Sequence, residues 1–419
     1  MTTRDERQEQ CRIKWIKNKC CGTLVQPTGA GKTITALKCL KSIVKKYPHF
    51  KILVVVPTSN LKQQWRVQLD NWGMEFNTDV QVINTIIKHE WNVNILVLDE
   101  IHRYAPATFA NVFNNVHYKY ILGLTATFER LDGKHQLIAK YCPIIDTITQ
   151  IEALTNGWVS SYKEYQVLID VDDIEEYNEY NKEFIKHYEF FGYDFNLAMS
   201  LLGPKGFINR AKLRDERCPN GTDEQRKAMF TAITYHATSF MRCIQKRKAF
   251  INNHPKKIEI ARRIIEARKD KRIITFSNNI KMAESIGMGG KVYSGKDSKK
   301  KGRLTLEEFQ NGDFNLINSI CKLNEGADLK GLSVAIILGL DSSEIKAVQR
   351  LGRVIRKEND KQAEIFNLVI NNTIETKWFN NSHAKQSYIT IDEKGLNDVL
   401  QRKEPQPYVK KIKDFQFRY

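Results

Sequence analysis

The stretch Gln26-Pro27-Thr28-Gly29-Ala30-Gly31-Lys32-Thr33 constrains this chain more than any other. It follows the apolar run Gly22 to Val25 and opens a pattern with helical spacing, so it stands where a strand hands over to a helix. Gly29 and Gly31 free the backbone to turn its N–H groups inward around phosphate oxygens, and the helix behind them adds the positive end of its dipole. In such a loop Lys32 reaches the β and γ phosphates of a nucleotide, and the Thr33 hydroxyl holds Mg²⁺. The full G-x-x-x-x-G-K-[ST] spacing is not met, because Gln26 occupies the first glycine position. This chain has to make the turn without that glycine.

A strand, loop and helix of this kind call for a parallel sheet around them. The first ~150 residues supply it, with short Val, Ile and Leu runs at Thr23–Gln26, Ile52–Val56, Val80–Ile83, Ile95–Leu98 and Ile121–Leu124 alternating with helical stretches. From about Ser160 the texture changes. Asp170 to Phe195 is acidic and rich in tyrosine and phenylalanine, and Leu197 to Ile251 reads as helices broken at Gly203-Pro204 and Pro219-Asn220-Gly221. After Pro255 the alternation returns, with strands expected at Arg272–Phe276, Lys291–Tyr293, Leu316–Ile320, Val334–Gly339 and Glu364–Ile370. The fold class is therefore α/β, two parallel-sheet lobes with a helical insert between them. A chain of 419 residues is too long for one core. The expected division is 1–158 for lobe 1, 159–255 for a helical insert or linker, 256–400 for lobe 2, and 401–419 for a basic tail.

The formal charge of +18 and pI near 9.4 point to a polyanionic partner, nucleic acid before an anionic membrane surface. No apolar run approaches the ~18 residues that cross a bilayer, and Met1 to Arg12 is too charged for a secretory signal, so a cytoplasmic chain with no membrane partner is expected. The eight cysteines form no C-x-x-C pair, which predicts free, mostly buried thiols and no structural zinc.

The phosphate loop needs acidic partners, and Val97-Leu98-Asp99-Glu100-Ile101-His102 supplies them at the carboxyl end of a predicted strand, the edge where ligands gather in an open α/β sheet. Asp99 is the candidate for the Mg²⁺ shell and Glu100 for polarising the attacking water. His102, two residues on, is a candidate sensor of the γ-phosphate or of the neighbouring motif.

The same chain resembles the superfamily 2 helicases of DExH type. Gln26–Thr33 resembles motif I, Val54-Val55-Val56-Pro57-Thr58 with Leu61 and Gln64-Trp65 motif Ia, and Asp99–His102 motif II. Gly123-Leu124-Thr125-Ala126-Thr127 with Arg130 and Asp132 resembles motif III, and Ile273-Ile274-Thr275-Phe276 motif IV. Asn324-Glu325-Gly326-Ala327-Asp328 is similar to motif V and Gln349-Arg350-Leu351-Gly352-Arg353-Val354-Ile355-Arg356 to motif VI. The T-A-T-x-x-R-x-D extension, the form of motif V and Q-R-L-G-R-V-I-R are nearest to the XPB/UvsW-like repair and branch-migration helicases, and the compact build resembles phage or large-virus members. Phe128 departs from the proline that relatives often carry in motif III. The few residues ahead of Gln8 leave no room for a leading damage- or branch-recognition domain, so substrate preference is expected to differ from that of such relatives before ATPase chemistry does.

The resemblance implies two RecA-like lobes, ATP and Mg²⁺ as cofactors, and DNA as the partner, with RNA or a restriction-system motor as alternatives. It implies an adenine-reading glutamine at Gln8, with Gln10 as the other candidate, nucleotide contacts at Gly326 and Asp328, and a catalytic role for Gln349. Arg353 and Arg356, three apart on one helical face, resemble arginine fingers reaching ATP on the opposite lobe. Pro57 and Thr58 are candidate nucleic-acid contacts. So are Arg242, Lys246, Arg247 and Lys248, in a stretch from Arg242 to Arg272 with twelve basic and three acidic residues, although such a run is also what a solvated helix face looks like. The aromatics of Tyr177–Phe195 offer either a base-stacking platform or, more in keeping with their helical spacing, a core. A monomer or weak oligomer working with other replication or repair proteins is expected.

Overall fold

The computed structural model describes residues 2–105, 107–126, 128, 133, 135–159, 162–294, 297–320, 331–339, 363–383, 387–406 and 408. In lobe 1 the Val, Ile and Leu runs form strands: β1 (Cys21–Val25), β2 (Ile52–Val56), β3 (Thr78–Val82), short β4 (Trp91–Asn92), β5 (Ile95–Asp99), short β6 (Val116–His117), β7 (Tyr120–Thr125) and β8 (Ile144–Thr147). Six of them make a parallel sheet in the order β3-β2-β5-β7-β1-β8, while β4 and β6 pair by themselves. Every residue of β2 and β5 is buried, because helices cover both faces. Val54, Val56 and Val97 pack with Leu24, Leu37, Leu40 and Trp65 on one side; Leu53, Val55, Leu96 and Leu98 pack with Ile101, Tyr104 and Phe113 on the other.

The chain begins with a helix, Arg4–Lys17, closed by a capping box between Thr3 and Glu6. Arg7, Gln8, Cys11 and Trp15 lie on its buried face. The Trp15 indole donates to the Ile121 carbonyl of β7 at 3.0 Å. Arg7 pairs with Asp146 of β8 at 2.5 Å and with Glu152 at 2.7 Å, and Lys14 reaches the other Asp146 oxygen at 2.5 Å. Burial pushes the Asp146 carboxyl up, but hydrogen bonds from Arg7, Lys14 and the Cys11 thiol outweigh it and hold it at about 2, below its ordinary 3.8. Burial, reinforced by Asp146, pushes the Cys11 thiol up to about 12.

Lobe 2 carries β9 (Tyr162–Ile169), β10 (Arg272–Ser277), β11 (Lys291–Tyr293), β12 (Leu316–Ile320), β13 (Leu332–Ile337), β14 (Ala363–Ile370) and β15 (Ile389–Ile391), all parallel in the order β11-β12-β10-β13-β14-β9-β15. Strand β9 corrects the expectation that 159–255 is helical throughout: the chain enters the second sheet first and makes the helical excursion afterwards. Its sequence, Tyr-Lys-Glu-Tyr-Gln-Val-Leu-Ile, hides the strand because Glu164 and Gln166 are buried polar residues. Glu164 accepts from Asn367 at 3.0 Å and lies 3.1 Å from the His383 ring, while Gln166 accepts from Thr390 at 3.0 Å. At the carboxyl ends of β13 and β14, Lys257 and Glu375 form a fully buried pair at 2.6 Å. Lys257 also donates to the Leu338 carbonyl at 2.7 Å, and Glu375 accepts from the Ile370 amide at 2.9 Å. Burial pulls the Lys257 ammonium down from its ordinary value.

Between β9 and β10 lie helices Ile174–Phe190, Phe195–Ser200, Gly206–Arg217 and the 31-residue Asp223–Asn253, separated at the Gly-Pro and Pro-Asn-Gly breaks. They share a core of their own, centred on Phe191, Leu201, Leu213, Ile233 and Phe240. Phe184, Tyr188 and Phe190 pack against it, so most of the aromatics between Tyr177 and Phe195 serve as core.

The Asp146 cluster should anchor the first helix measurably. Replacing Asp146 with Asn leaves Arg7 and Lys14 without their shared anion, at an expected cost of roughly 3 kcal/mol at neutral pH. A carboxyl depressed in the folded state contributes fully above its unfolded value and loses that contribution as pH falls through its folded value. The gap between wild type and Asp146→Asn in denaturant unfolding should therefore be complete above pH ~4 and shrink as the pH falls towards 2.

Candidate active site

Because β1 pairs with β7 and β7 with β5, their carboxyl ends meet, with Val25 beside Thr125 and Leu124 beside Asp99. The phosphate loop leaves β1 there. Gly29 and Gly31 adopt left-handed backbone, φ 86° and 90°, and Gly31 is the N-cap of the helix Lys32–Val44, where it brings no side chain of its own to the first amides. Those amides face a site suited to an anion. Thr28, Gly29 and Thr33 are half-buried; Ala30 and Lys32 are buried.

Gln26 accounts for the missing glycine. Its side chain is fully buried, accepting from the Thr35 hydroxyl at 3.2 Å and donating to Cys11 Sγ at 3.3 Å, while its amide bonds to the Thr125 carbonyl at 2.9 Å. The chain leaves β1 braced and turns only at Gly29. The first helix closes over the loop: Arg4 donates to the Gly29 and Ala30 carbonyls at 2.8 and 3.1 Å, and Gln8 Nε2 to Ala30 at 3.2 Å. Gln8 is buried beside the loop, and Gln10 is exposed. A Cβ on Gly31 would lie 2.5 Å from Gln8 Nε2 and 2.7 Å from Arg4 Nη2.

Lys32 Nζ lies 3.4 Å from the Gln26 carbonyl and 3.8 Å from Glu100 Oε1. Glu100 is buried and takes φ 52°, a left-handed conformation that costs a residue with a side chain and is held by its surroundings. Its amide donates to Asp99 Oδ1 at 3.0 Å; Asp99 Oδ2 accepts from the Trp65 indole at 2.9 Å. His102 Nδ1 lies 3.5 Å from Glu100 Oε2 and 2.8 Å from the Thr125 hydroxyl, joining the acidic segment to the end of β7. Asp99 and Thr33 offer a carboxylate and a hydroxyl, hard oxygen donors that fit Mg²⁺, an ion that keeps several waters and needs few protein ligands. The sequence signals led to Lys32, Thr33, Asp99, Glu100 and His102. They did not single out Arg4 or Thr35, and Trp65 entered only as part of a motif.

Of the candidate nucleic-acid contacts, Pro57 and Thr58 are half-buried, and Thr58 caps the helix Ser59–Asn71 through the Leu61 amide at 3.4 Å. Arg242, Lys246 and Lys248 are exposed on Asp223–Asn253. Lys246 sits 4.9 Å from the Tyr180 ring and Lys248 5.9 Å from that of Trp378. Arg247 is a correction. It is buried, with its guanidinium 4.1 Å over Phe184 and a hydrogen bond to the Tyr177 hydroxyl at 3.4 Å, because its helical position turns it into the insert core. Thr127, Arg130, Asp132, Gly326, Asp328, Gln349, Arg353 and Arg356 lie outside the described residues.

Comparison with known proteins agrees with this geometry. The family model for the helicase conserved C-terminal domain matches residues 256–358, and that for the type III restriction enzyme res subunit matches 2–94 and 80–130. The chain is 28% identical over 377 residues to the DNA 3'-5' translocase XPB2 of Sulfurisphaera tokodaii, covering 86% of this chain and 80% of the relative. It is 22% identical to the putative ATP-dependent RNA helicase L396 of Acanthamoeba polyphaga mimivirus, covering 96% and 71%. The helicase domain of Pyrococcus furiosus Hef superposes with a TM-score of 0.55 at 19% identity, over 90% of this chain and 97% of that one. The chain belongs to the superfamily 2 helicases, ATP-hydrolysing enzymes built on two RecA-like lobes.

Gly31→Ala tests the close fit of loop and first helix. At φ 90° an alanine is strained, and its methyl group has to displace the ends of the Gln8 and Arg4 side chains from the loop carbonyls. Equilibrium nucleotide binding is expected to weaken about tenfold or more, with a melting temperature lowered by only a few degrees.

Proposed function

We propose that the chain is a DNA-dependent ATPase that moves along, unwinds or branch-migrates DNA. The observation that carries this reading is the meeting of buried Lys32, Asp99 and Glu100 at the glycine-capped N-terminus of the helix Lys32–Val44. In the reaction, Lys32 turns from Glu100 to the β and γ phosphates while the loop amides hold their oxygens. Glu100, released from the ammonium, orients the attacking water and takes its proton. Mg²⁺, held by Thr33 and Asp99, would supply charge neutralisation on the transferring phosphate. Gln8 recognises the adenine, and His102 links the γ-phosphate region to Thr125. Arg353 and Arg356 are assigned to the developing charge from lobe 2, with Gln349, Gly326 and Asp328 alongside, so that each ATP cycle closes and opens the lobes.

DNA is favoured over RNA by the translocase relative, which is matched at higher identity than the RNA helicase relative. The basic balance and the exposed Arg242, Lys246 and Lys248 suit backbone binding without sequence preference, with Pro57 and Thr58 as lobe 1 contacts. Partners in repair, recombination or replication and a monomer or weak oligomer belong to the same proposal.

Two variants test the pocket. Lys32→Ala should stay folded and lose nucleotide affinity, whereas Glu100→Gln should bind ATP near normally and hydrolyse it roughly 10²-fold or more slowly. Near-normal turnover in either would remove the assignment.

A further inference from the structure

The Asp99 carboxylate is held by more than its own strand. Its Oδ1 accepts from the Glu100 amide at 3.0 Å and its Oδ2 from Trp65 Nε1 at 2.9 Å, leaving the remaining lone pairs fixed in direction. An indole N–H can only donate, so this contact requires an acceptor oxygen on Asp99. Trp65 is 1% exposed and belongs to the helix Ser59–Asn71, whose N-cap is Thr58. A second buried donor ties the same two segments together: the Tyr104 hydroxyl is 3.1 Å from the Val55 carbonyl, near the end of β2, and 2.9 Å from the Asp99 carbonyl. The segment that carries Pro57 and Thr58 is therefore joined to Asp99 through a rigid helix on one side and a tyrosine bridge on the other.

We propose that Trp65 is a positioning residue that carries polymer binding at Pro57 and Thr58 to the Asp99 carboxylate, with Tyr104 as the second tie. This rests on the ATPase reading above and adds to it a route of regulation. A load on the N-terminus of Ser59–Asn71 moves the helix as a unit, and with it the indole. The carboxylate follows its donor because the bond is buried, where a hydrogen bond is stronger than in water. Binding of the polymer then resets the direction of the Asp99 lone pairs and so the strength with which that carboxylate holds a divalent cation.

The test compares Trp65→Phe, which keeps a buried ring and removes the N–H, with Trp15→Phe, which removes an equally buried indole donor bonded to the Ile121 carbonyl. Three quantities are read: melting temperature, the Mg²⁺ requirement for binding a non-hydrolysable ATP analogue, and the ratio of DNA-stimulated to basal ATPase. For Trp65→Phe the Mg²⁺ requirement should rise roughly tenfold and the stimulation ratio should fall towards one, while Trp15→Phe loses stability and keeps both. A Trp65→Phe protein that only melts earlier, with Mg²⁺ requirement and ratio unchanged, overturns the proposal. Should Trp65→Phe fail to fold, Tyr104→Phe carries the same test, and an unchanged ratio in that variant is equally fatal. A wild type that no nucleic acid stimulates would remove the functional reading instead, and the Mg²⁺ requirement would still decide the tie between Trp65 and Asp99.

Discussion

The parallel pairing of β1 with β7 and of β7 with β5 is the contact on which the rest of lobe 1 depends. It brings the exit of the phosphate loop, the Thr125 hydroxyl and the Asp99-Glu100 pair to one edge, although they are separated by up to about a hundred residues of chain. The order β3-β2-β5-β7-β1-β8 places β1 between later strands, so the loop opens where neighbouring connections diverge and leave a crevice. Helices on both faces bury β2 and β5 completely, and this keeps the edge rigid enough to hold Glu100 in a left-handed conformation.

The site is braced by polar groups that the mechanism itself does not consume. Gln26 replaces a loop glycine with a buried amide bonded to Thr35 and Cys11, and Cys11 in turn touches Asp146, which Arg7 and Lys14 clamp. This chain of contacts runs from the phosphate loop through the first helix to β8 and back to the loop through Arg4 and Gln8. Each link is satisfied, and a satisfied buried network specifies one arrangement where an apolar filling would allow several. In lobe 2 the Lys257–Glu375 pair has the same character. It fixes the ends of β13 and β14 through the Leu338 carbonyl and the Ile370 amide.

What was legible in the sequence follows from these forces. Strands buried on both faces, such as Ile52–Val56 and Leu316–Ile320, stand where their apolar runs place them, and the loop and acidic segment carry local signatures. Strand β9 escaped because Glu164 and Gln166 find their partners in Asn367 of β14, His383 and Thr390 of β15, about two hundred residues further along the chain. Arg247 read as a surface charge because a sequence window records its charge and not the Phe184 ring beneath it. The bond from Trp65 to Asp99 spans 34 residues and two strands, and no periodicity announces it.

A motor of this kind requires that ATP hydrolysis at the site answer to a nucleic-acid track. The direct measurement is steady-state ATPase activity titrated with single-stranded, duplex and forked DNA and with RNA of matched length. The account predicts low basal turnover that rises with DNA, with half-maximal stimulation shifting to higher DNA concentration as salt increases, since the grip is mainly to phosphates. Hydrolysis indifferent to every polymer, or stimulated by RNA and not by DNA, would contradict it.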